Sequence, residues 1–564
     1  MISVLPWLLA GGMLLVYIRT LDYRVSLENL RPIARLTGID WVADISAPVT
    51  YAVTYPIRWL PPAAIPFAAN FFTACCAALT LMLLARSTAL LPHDRTQAQR
   101  QRNPDRHGLL SIGNAWLPPT LAVLVCGLQL SFWENAIGMT GEMFNLLLLA
   151  LMVWCLLEFR RTEKKSWLLL LAFLNGLGVA NNWAMVAFLP GFLLAVLWLK
   201  GFFNFFRPAY VAAFLKQGTN VLHYSLPLAM LACWAAGAVW FVLMPLLVSR
   251  SQTNHLDFWP DVIFGLRTYQ AMLTLVPLRT EILLGMTSVF PIAFMGIRWN
   301  RLIRDPNPGV IIVAETLFHL IHAFFLFICL WATLGSPLSP RHLLPQFPCL
   351  PLYFLMALSV GYYSGYFLLV FAPRSDKSSR REHRQATPLH QGSLAAVVLL
   401  AVLVPAGLAH GNLREILRRK TDALAGYFED LEKSLPGKGS VILSEDSMRL
   451  QYLGTRLCET GRQSDYLLID TGLLARFPSY FRFLDARNPQ FGIAAGLTNQ
   501  VTEITNPAVL MNWVSRQAGK HELYFLHPFA GVLGEYFFPG QRDSFSIWNL
   551  MPQIPCLPRR SLRN

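Results

Sequence analysis

The chain has 564 residues, of which 54% are hydrophobic and only 14% are charged, and its mean hydropathy is +0.42. A soluble globular chain would have about 25% charged residues. Lys and Arg number 47 against 32 Asp and Glu, a formal net charge of +15. In a soluble protein this excess would suggest nucleic acid or acidic partners, but in a membrane protein it follows from loop topology. The composition therefore excludes an ordinary soluble protein.

Eleven apolar runs are candidates for membrane-spanning helices, which need roughly 20 mostly apolar residues each. In chain order they are Ile2–Ile18, Ala64–Ala85, Trp116–Trp133, Met143–Leu157, Trp167–Ala180, Trp183–Leu199, Ser225–Val248, Ile282–Ile297, Val310–Leu334, Leu343–Ala372 and Ser393–Ala409. We therefore predict an all-α polytopic membrane bundle of about 11 transmembrane helices over residues 1–409. A charged connecting helix at 410–435 and a small extracytoplasmic α/β domain at 436–564 are expected to follow.

The distribution of Lys and Arg over the connections predicts the orientation. If the amino terminus is cytoplasmic, the inside connections carry 20 of these residues and the outside connections carry 9. Because cytoplasmic loops accumulate Lys and Arg, we expect a multi-pass protein of the inner (cytoplasmic) membrane with this orientation. An odd number of spans then places the carboxyl-terminal domain outside. Arg19, Arg24, Arg31 and Arg35 follow the first run on the outside, so its assignment as a span is the least secure.

The tail, residues 410–564, has the composition of a soluble domain. Its apolar runs predict buried strands, and amphipathic stretches between them predict helices. The strands are expected at Val441–Leu443, Tyr466–Ile469 and Glu522–Leu526, and the helices at Ser447–Cys458, Pro478–Asp485 and Pro507–Ala518. This alternation of strands and helices is typical of a small layered α/β domain.

The first outer connection, residues 19–63, is long for a link between two spans. Its stretch Tyr51–Trp59 alternates apolar and small residues around Tyr55, Pro56 and Arg58. This pattern predicts a segment that lies on the membrane surface. Long outer loops also carry functional sites, so the carboxylates of this connection are candidates for chemistry.

Glu134 and Glu142 lie at the predicted outer boundary of the membrane. A carboxylate there is suited to act as a general base toward a hydroxyl acceptor, or to bind a divalent cation beside a phosphate. The alternative is that both are solvated charges at helix ends, with Glu142 stabilised at a helix amino terminus.

Asn181-Asn182-Trp183 forms a predicted tight outer turn between two spans, a role for which asparagine is well suited. Gly176 and Gly178, just before it, are expected to permit close packing of helices.

Glu315, His319 and His322 share one face of the ninth predicted span. Ionisable residues within a span are functional candidates, for metal or proton binding here, but hydrogen-bonded packing groups are the favoured explanation of the two histidines.

Arg341 and His342 end the last outer loop. A guanidinium at this boundary offers a planar fork of donors that suits a phosphate group. The alternative is an interfacial anchor whose charged head reaches into the lipid head groups.

Three short blocks occur in order along the first 350 residues. They are Phe132-Trp133-x-x-Ala136 with Glu142-Met143-Phe144-x-Leu146, then Gly176-Leu177-Gly178 with Asn181, and then Arg341-His342-Leu343-Leu344-Pro345. Together they resemble blocks of the bacterial membrane family related to protein O-mannosyltransferases, long described as a domain of unknown function. The resemblance implies the GT-C glycosyltransferase architecture.

In that family an acidic residue of the first outer loop deprotonates the acceptor hydroxyl, which attacks a polyprenyl-phosphate sugar with inversion. The resemblance therefore implies Glu28 or Asp40 as the base and Glu142 as a second acid. It further implies that Arg341 and His342 bind the donor phosphate.

Two family positions differ in this chain. Ser26 stands where the family has its first-loop aspartate, which leaves Glu28, Asp22, Asp40 and Asp44 as the nearest carboxylates. The family's histidine after Asn181 is Asn182 here. Glu134, Asn181 and Asn182 are then expected to contact the acceptor or to support the site.

The partners implied by the resemblance are a polyprenyl-phosphate sugar lipid and a hydroxyl-bearing protein or glycan, in the membrane and without nucleic acid. A divalent cation remains a candidate cofactor. Two functions remain: an inverting glycosyltransferase, or a catalytically degenerate relative that serves binding or assembly. A transporter is disfavoured, because the sequence has no apparent inverted repeat and almost no charged residue in its spans.

Overall fold

A computed structural model describes residues 4–41, 46–93, 109–110, 112–201, 226–250, 258–296, 308–371, 388–419, 423–491, 507–526, 537–539 and 547–550. The chain is mostly helical and carries one small sheet near its carboxyl terminus. The two parts correspond to the predicted membrane bundle and the predicted tail domain.

The helical part is built mainly from apolar α-helices. Its α-helices are Leu5–Thr20, Leu30–Leu36, Pro48–Thr54, Ile65–Leu90, Leu117–Gly127, Leu130–Ile137, Glu142–Thr162, Lys165–Asn181, Ala184–Lys200, Leu226–Ala238, Trp240–Ser249, Phe258–Thr274, Leu278–Leu284, Phe290–Met295, Pro308–Thr333, Pro340–Leu343, Leu350–Val370 and Pro388–Arg419. Short 3₁₀ turns at Tyr55–Trp59 and Pro62–Ala64 precede the long helix Ile65–Leu90, and a π-helical turn spans Gly285–Val289.

Within the described residues, seven helices are long and apolar enough to cross a membrane. The bent pair Leu117–Gly127 and Leu130–Ile137 forms an eighth candidate, and Leu5–Thr20 and Ala184–Lys200 are shorter apolar helices. Each of the eleven predicted runs coincides with one helix or with two or three consecutive helical segments, although the count of eleven spans stays a prediction. These apolar helices fit a multi-pass membrane protein.

A bend of 69° separates Leu117–Gly127 from Leu130–Ile137. The Gln129 side chain accepts a hydrogen bond from the Phe132 amide at 2.8 Å and so caps the second helix. The Tyr17 hydroxyl donates to the Gly127 carbonyl at 2.9 Å, in space that a side chain at Gly127 would occupy. The bend is therefore built into the packing, and the helix after it carries Glu134.

Close helix packing through glycine, predicted for Gly176, is confirmed. Gly176 on Lys165–Asn181 faces Gly237 on Leu226–Ala238, and a side chain at either position would collide with the opposite backbone. Gly178 has a looser environment, against the Met185 side chain. These contacts fix the helix that ends at Asn181, and hence the turn that follows it.

The tail contains a five-stranded sheet in the order β2-β1-β3-β5-β4. The strands are β1 Ser440–Ser444, β2 Tyr466–Asp470, β3 Leu523–Leu526, β4 Phe537–Pro539 and β5 Ile547–Leu550, and the helices are Ala423–Lys433, Ser447–Glu459, Thr471–Arg476, Pro478–Arg487 and Pro507–Ala518. β1 pairs in parallel with β2 and β3, with Ser440 opposite Tyr466 and Val441 opposite Leu523, whereas β5 pairs antiparallel with β3 and β4. The three predicted strands and three predicted helices are confirmed, while β4 and β5 were not predicted.

The first outer connection packs directly against the tail. Trp41 lies in the same apolar cluster as Val441 and Phe525, and Ile33 lies in a second cluster with Leu453. The Tyr452 hydroxyl donates to the Val25 carbonyl at 2.9 Å. The connection and the tail therefore lie on the same side of the helical part, which is the relation that an odd number of spans predicts.

Candidate functional site

Glu134 and Arg341 form an ion pair between elements that are 207 residues apart in the chain, with Arg341 Nη1 donating to Glu134 Oε2 at 2.7 Å. Glu134 lies on Leu130–Ile137, after the bend, and its side chain is 11% exposed. Arg341 lies on the short helix Pro340–Leu343, and its side chain is 34% exposed. A mostly buried carboxylate thus binds the guanidinium of a partly exposed arginine side chain.

The buried hydroxyl of Tyr353 fixes the backbone beside Arg341. It accepts a hydrogen bond from the Arg341 amide at 3.1 Å and lies 2.7 Å from the Ser339 hydroxyl. His342 follows, with its Nδ1 atom 3.0 Å from the Ser336 carbonyl. These bonds orient the loop that carries both predicted phosphate-binding residues. The helix Leu350–Val370 begins only after that loop, so Arg341 and His342 stand before the span and not within it.

Glu142 is the first residue of the helix Glu142–Thr162, preceded by Gly141 with a φ of 85° that favours glycine. A helix amino terminus stabilises a negative charge at this position. Asn182 Nδ2 donates to Glu142 Oε2 at 3.4 Å, while Asn182 Oδ1 accepts from the Ala184 amide at 2.8 Å. Asn182 therefore links the carboxylate to the start of the next helix.

The turn between Arg341 and the helix Leu350–Val370 contacts Trp183, which follows the Asn182 that binds Glu142. Burial, and after it the charge of Glu142, raises the pKa of the Cys349 thiol to about 12. Cys349 precedes the helix Leu350–Val370 that holds Tyr353, and its φ of 50° is unusual for a residue other than glycine. The Trp183 ring meets the Phe347 ring of this turn edge to face, 5.5 Å between centroids. The two predicted outer blocks and the Arg341 loop therefore converge at one end of the bundle.

Asn181 is 2% exposed and has a structural environment. Its Nδ2 atom donates to Thr50 Oγ1 at 2.8 Å and to Asn145 Oδ1 at 2.6 Å, and its Oδ1 atom accepts from the Thr50 amide at 2.9 Å. Because these bonds use both amide hydrogens, Asn181 ties three elements together beneath Glu142.

Asp40 lies against the tail and not beside the Glu134–Arg341 ion pair. Its carboxylate accepts from Arg35 Nε at 3.3 Å, and it lines a pocket against the tail together with Trp41, Ser447 and Asp470. The pocket runs along one face of β2, from Tyr466 to Asp470, between the helices Ser447–Glu459 and Pro478–Arg487. The structure therefore groups Asp40 with the tail, whereas Glu134 and Arg341 pair with each other.

Glu28 is exposed, in the turn that precedes the helix Leu30–Leu36. Its neighbours Leu27 and Arg31 line a groove against the tail residues Asp446 and Met448. Asp44, another of the carboxylates nearest to Ser26 in the sequence, lies outside the described residues.

The histidines of the ninth predicted span have nearby partners. His319 Nδ1 lies 2.7 Å from the Tyr366 hydroxyl, and His322 Nδ1 lies 2.7 Å from the Phe318 carbonyl. Across the described part of the chain, no three His, Cys, Asp or Glu side chains form a group suited to a metal ion. The Glu315 side chain lies outside the described residues. This geometry favours packing roles for the two histidines.

Two buried asparagines near the site were not predicted. Asn70 Oδ1 accepts from the Met139 amide at 2.9 Å, and its Nδ2 atom donates to the Asp22 carbonyl at 2.7 Å. Asn29 Nδ2 donates to Asn70 Oδ1 at 3.4 Å. Asn70 lies in the first turns of the apolar helix Ile65–Leu90. This position could have predicted a contact with another segment, because a buried amide needs polar partners. Together they tie the first outer connection to the loop between Glu134 and Glu142.

Residues 46–202 match the family model of the protein O-mannosyl-transferase TMEM260 N-terminal domain. The matched segment contains Glu134, Glu142, Asn181 and Asn182 and ends before Arg341. No curated protein matches the chain. The match supports an O-mannosyltransferase-like family.

Proposed function

We propose that the protein is a membrane glycosyltransferase that moves a sugar from a polyprenyl-phosphate donor to a hydroxyl acceptor. The reaction is assigned to the end of the bundle that carries the first outer connection, which we propose to be extracytoplasmic. The observation that carries this proposal is the Glu134–Arg341 ion pair, because it joins the segment that holds Glu142 to the loop that holds the predicted phosphate-binding residues. The segment that matches an O-mannosyl-transferase domain supplies both carboxylates.

Arg341 is assigned to the donor phosphate. A guanidinium has five N–H donors in a planar fork, and the contact with Glu134 uses Nη1. The other donors of this partly exposed side chain are suited to bind two phosphate oxygens at once. Glu134 then serves as a positioning residue that holds the fork in place, and His342 lies beside it as a further donor to the phosphate.

Glu142 is assigned as the base in place of Glu28 or Asp40, since Glu28 is exposed and Asp40 faces the tail. The acceptor hydroxyl transfers its proton to the Glu142 carboxylate while its oxygen bonds to the anomeric carbon of the sugar. The bond from that carbon to the phosphate oxygen breaks, and the polyprenyl phosphate leaves with both electrons. Attack from the face opposite the leaving group inverts the anomeric centre.

The test uses the full chain reconstituted in lipid with polyprenyl-phosphate mannose and a hydroxyl-bearing peptide. We expect transfer by the wild type and a loss of about 100-fold in Glu142→Gln, the low end of general base catalysis. Glu28→Gln is the matched control and is expected to keep its rate within about twofold, less than 0.5 kcal/mol of barrier. Absence of transfer with mannose and with other sugars on the same lipid would overturn the proposal.

A second candidate function is a catalytically degenerate relative that binds a partner or supports assembly. Ser26 at the family's aspartate position and the docking of Asp40 against the tail favour it. In this case the wild type binds the polyprenyl-phosphate sugar without turnover. Binding by the wild type and by Glu142→Gln with equal affinity, and transfer by neither, would select this candidate.

A further inference from the structure

Two arginines from distant parts of the chain meet at Gly38 in the first outer connection. Arg58 follows the helix Pro48–Thr54, and Arg487 ends the tail helix Pro478–Arg487. Arg58 Nη2 and Arg487 Nη1 each lie 3.0 Å from the position that a Cβ atom on Gly38 would take. The two nitrogens are therefore at most about 6 Å apart, twice that distance. We call Arg58 and Arg487 the arginine pair.

Neutral groups hold the other edges of the arginine pair. Arg58 Nη1 donates to the Tyr51 hydroxyl at 3.2 Å, and the guanidinium lies 5.2 Å from the Tyr55 ring centroid. Arg487 Nη2 donates to the Thr37 carbonyl at 3.3 Å, and the Gln463 amide oxygen, in its hydrogen-bonding orientation, accepts from Arg487 Nε at 3.1 Å. Among the described residues, no carboxylate forms an ion pair with either arginine.

Each guanidinium thus keeps one nitrogen directed at the space above Gly38. Gly38 has a φ of 71°, and any larger residue there would intrude on both nitrogens. Burial, and to a lesser extent the charge of Arg58, lowers the pKa of Arg487. Two guanidinium groups this close together, whose other edges contact neutral groups, form a site suited to an anion.

The surroundings of Arg58 place this site at the membrane surface. Trp59 is 78% exposed, and its neighbours Tyr55 and Leu60 are also exposed apolar residues. The candidate span Pro62–Leu90 begins four residues after Arg58. Exposed aromatic residues beside the start of a span are typical of the interface at which lipid phosphates lie. Phosphate is therefore the anion that this position meets in the bilayer.

We propose that Arg58 and Arg487 together bind a phosphate group over Gly38, supplied by a phospholipid head group, and that this phosphate fastens the tail to the membrane-surface segment. The site uses none of the residues assigned to sugar transfer, so it stands or falls independently of the proposed function.

The first test measures thermal unfolding of a delipidated sample of the full chain in a neutral maltoside detergent, with inorganic phosphate replacing chloride at constant ionic strength. We expect phosphate to raise the melting temperature of the wild type, because it binds the folded chain. Arg58→Gln and Arg487→Gln are each expected to lose this rise. Arg482→Gln, an exposed arginine on the same tail helix, is the matched control and keeps it.

The direction of the change in melting temperature of Arg58→Gln distinguishes anion binding from a purely structural role. Without phosphate, Arg58→Gln is expected to melt at or above the wild-type temperature, since the substitution removes a repulsion. With phosphate it is expected to melt below the wild type. Equal loss of melting temperature with and without phosphate, in both Arg58→Gln and Arg487→Gln, would overturn the proposal, as would a wild type that does not respond to phosphate.

The second test identifies the source of the phosphate by native mass spectrometry of the full chain released from the same detergent. We expect the wild type and Arg482→Gln to retain one phospholipid that Arg58→Gln and Arg487→Gln lose. Equal retention by all four proteins, together with the phosphate response, would overturn the lipid assignment and identify free phosphate as the ligand.

Discussion

The outer end of the helical part and the tail connect their elements by different chemistry. In the helical part, buried asparagines carry the connections: Asn70 and Asn181 each join elements that are distant in the chain. In the tail, Arg456 contacts three glutamates at 3.2 to 3.3 Å, and its side chain is 25% exposed. Neutral amides are less costly to bury than charges, so each part uses the chemistry that its exposure favours.

The Glu134–Arg341 ion pair departs from this pattern. It lies in the part that otherwise connects distant elements through amides, with Glu134 among the mostly buried groups. Burying an ion pair has a desolvation cost that a neutral pair avoids. An asparagine contact would have connected the same two elements at a lower desolvation cost. We therefore infer that the charge of Arg341 serves a further function.

The largest effect on stability is expected from Arg341→Gln, because it removes a close ion pair from the mostly buried carboxylate of Glu134. We expect a loss of about 2 to 3 kcal/mol, less than for a fully buried pair since Arg341 is partly exposed. The double variant Glu134→Gln with Arg341→Gln should recover most of this loss. Reversible unfolding in bicelles measures both values. A single variant as stable as the wild type would show that the ion pair lies effectively in water.

Asn181→Leu tests the amide connections and is expected to lose about 2 kcal/mol, since it strips partners from Thr50 and Asn145. Asn182→Leu, with its long bond to Glu142, is the matched control and should lose less. The same unfolding measurement applies. Equal losses of unfolding free energy at the two positions would show that the hydrogen bonds of Asn181 contribute no more to stability than those of Asn182.

Arg456→Gln tests the ionic network of the tail. We expect a loss of at most about 1 kcal/mol, because Glu429 and Glu432 keep their ion pairs with Arg24 and Arg462. The loss should shrink in 1 M salt, where charges in water are screened within about 3 Å. Thermal unfolding at low and high salt gives the comparison with Arg341→Gln, whose loss should persist. A loss for Arg456→Gln that does not respond to salt would break the distinction between the two regions.

The smallest effect is expected from Asp470→Asn, as a change in pH dependence. Burial raises the pKa of Asp470 above its ordinary 3.8, although Ser447 and backbone N–H groups act to lower it. The folded chain therefore holds this proton more tightly than the unfolded chain. The resulting stability is full below the ordinary pKa and is lost as the pH rises through the raised pKa.

We accordingly expect the tail of the wild type to lose more melting temperature than Asp470→Asn as the pH rises from about 4 to about 7. Circular dichroism at several pH values measures the difference. Parallel pH profiles for the two proteins would show that Asp470 is not proton-linked to folding.

The regular elements could be predicted because their patterns are local. The run Val441–Leu443 reads as a buried strand, and the predicted helix Pro507–Ala518 has the bounds seen in the structure. β4 and β5 are three and four residues long, too short for a periodic signal. Glu134, Glu142 and Arg341 could be nominated from residue type and position relative to the spans. Their convergence could not, because it depends on the bend at Gly127 and on contacts across 207 residues.

The position of Asp40 likewise could not be predicted from local sequence patterns. As a carboxylate of the first outer connection it was a reasonable candidate for the base. Its neighbours Ser447 and Asp470 lie more than 400 positions away in the sequence, so only the folded chain reveals that it faces the tail. The arginine pair escaped prediction for the same reason, since Arg58 and Arg487 have no local pattern in common.

The measurement that tests the central claim most directly is sugar transfer by the charge-swapped variant Glu134→Arg with Arg341→Glu. The swap restores an ion pair but puts a carboxylate where the donor phosphate is assigned to bind. We expect the swap to melt closer to the wild type than either single variant does, while its transfer rate stays at least about tenfold below wild type, 1.4 kcal/mol of barrier. Recovery of the wild-type transfer rate together with the recovered stability would contradict the account and reduce Arg341 to a structural residue.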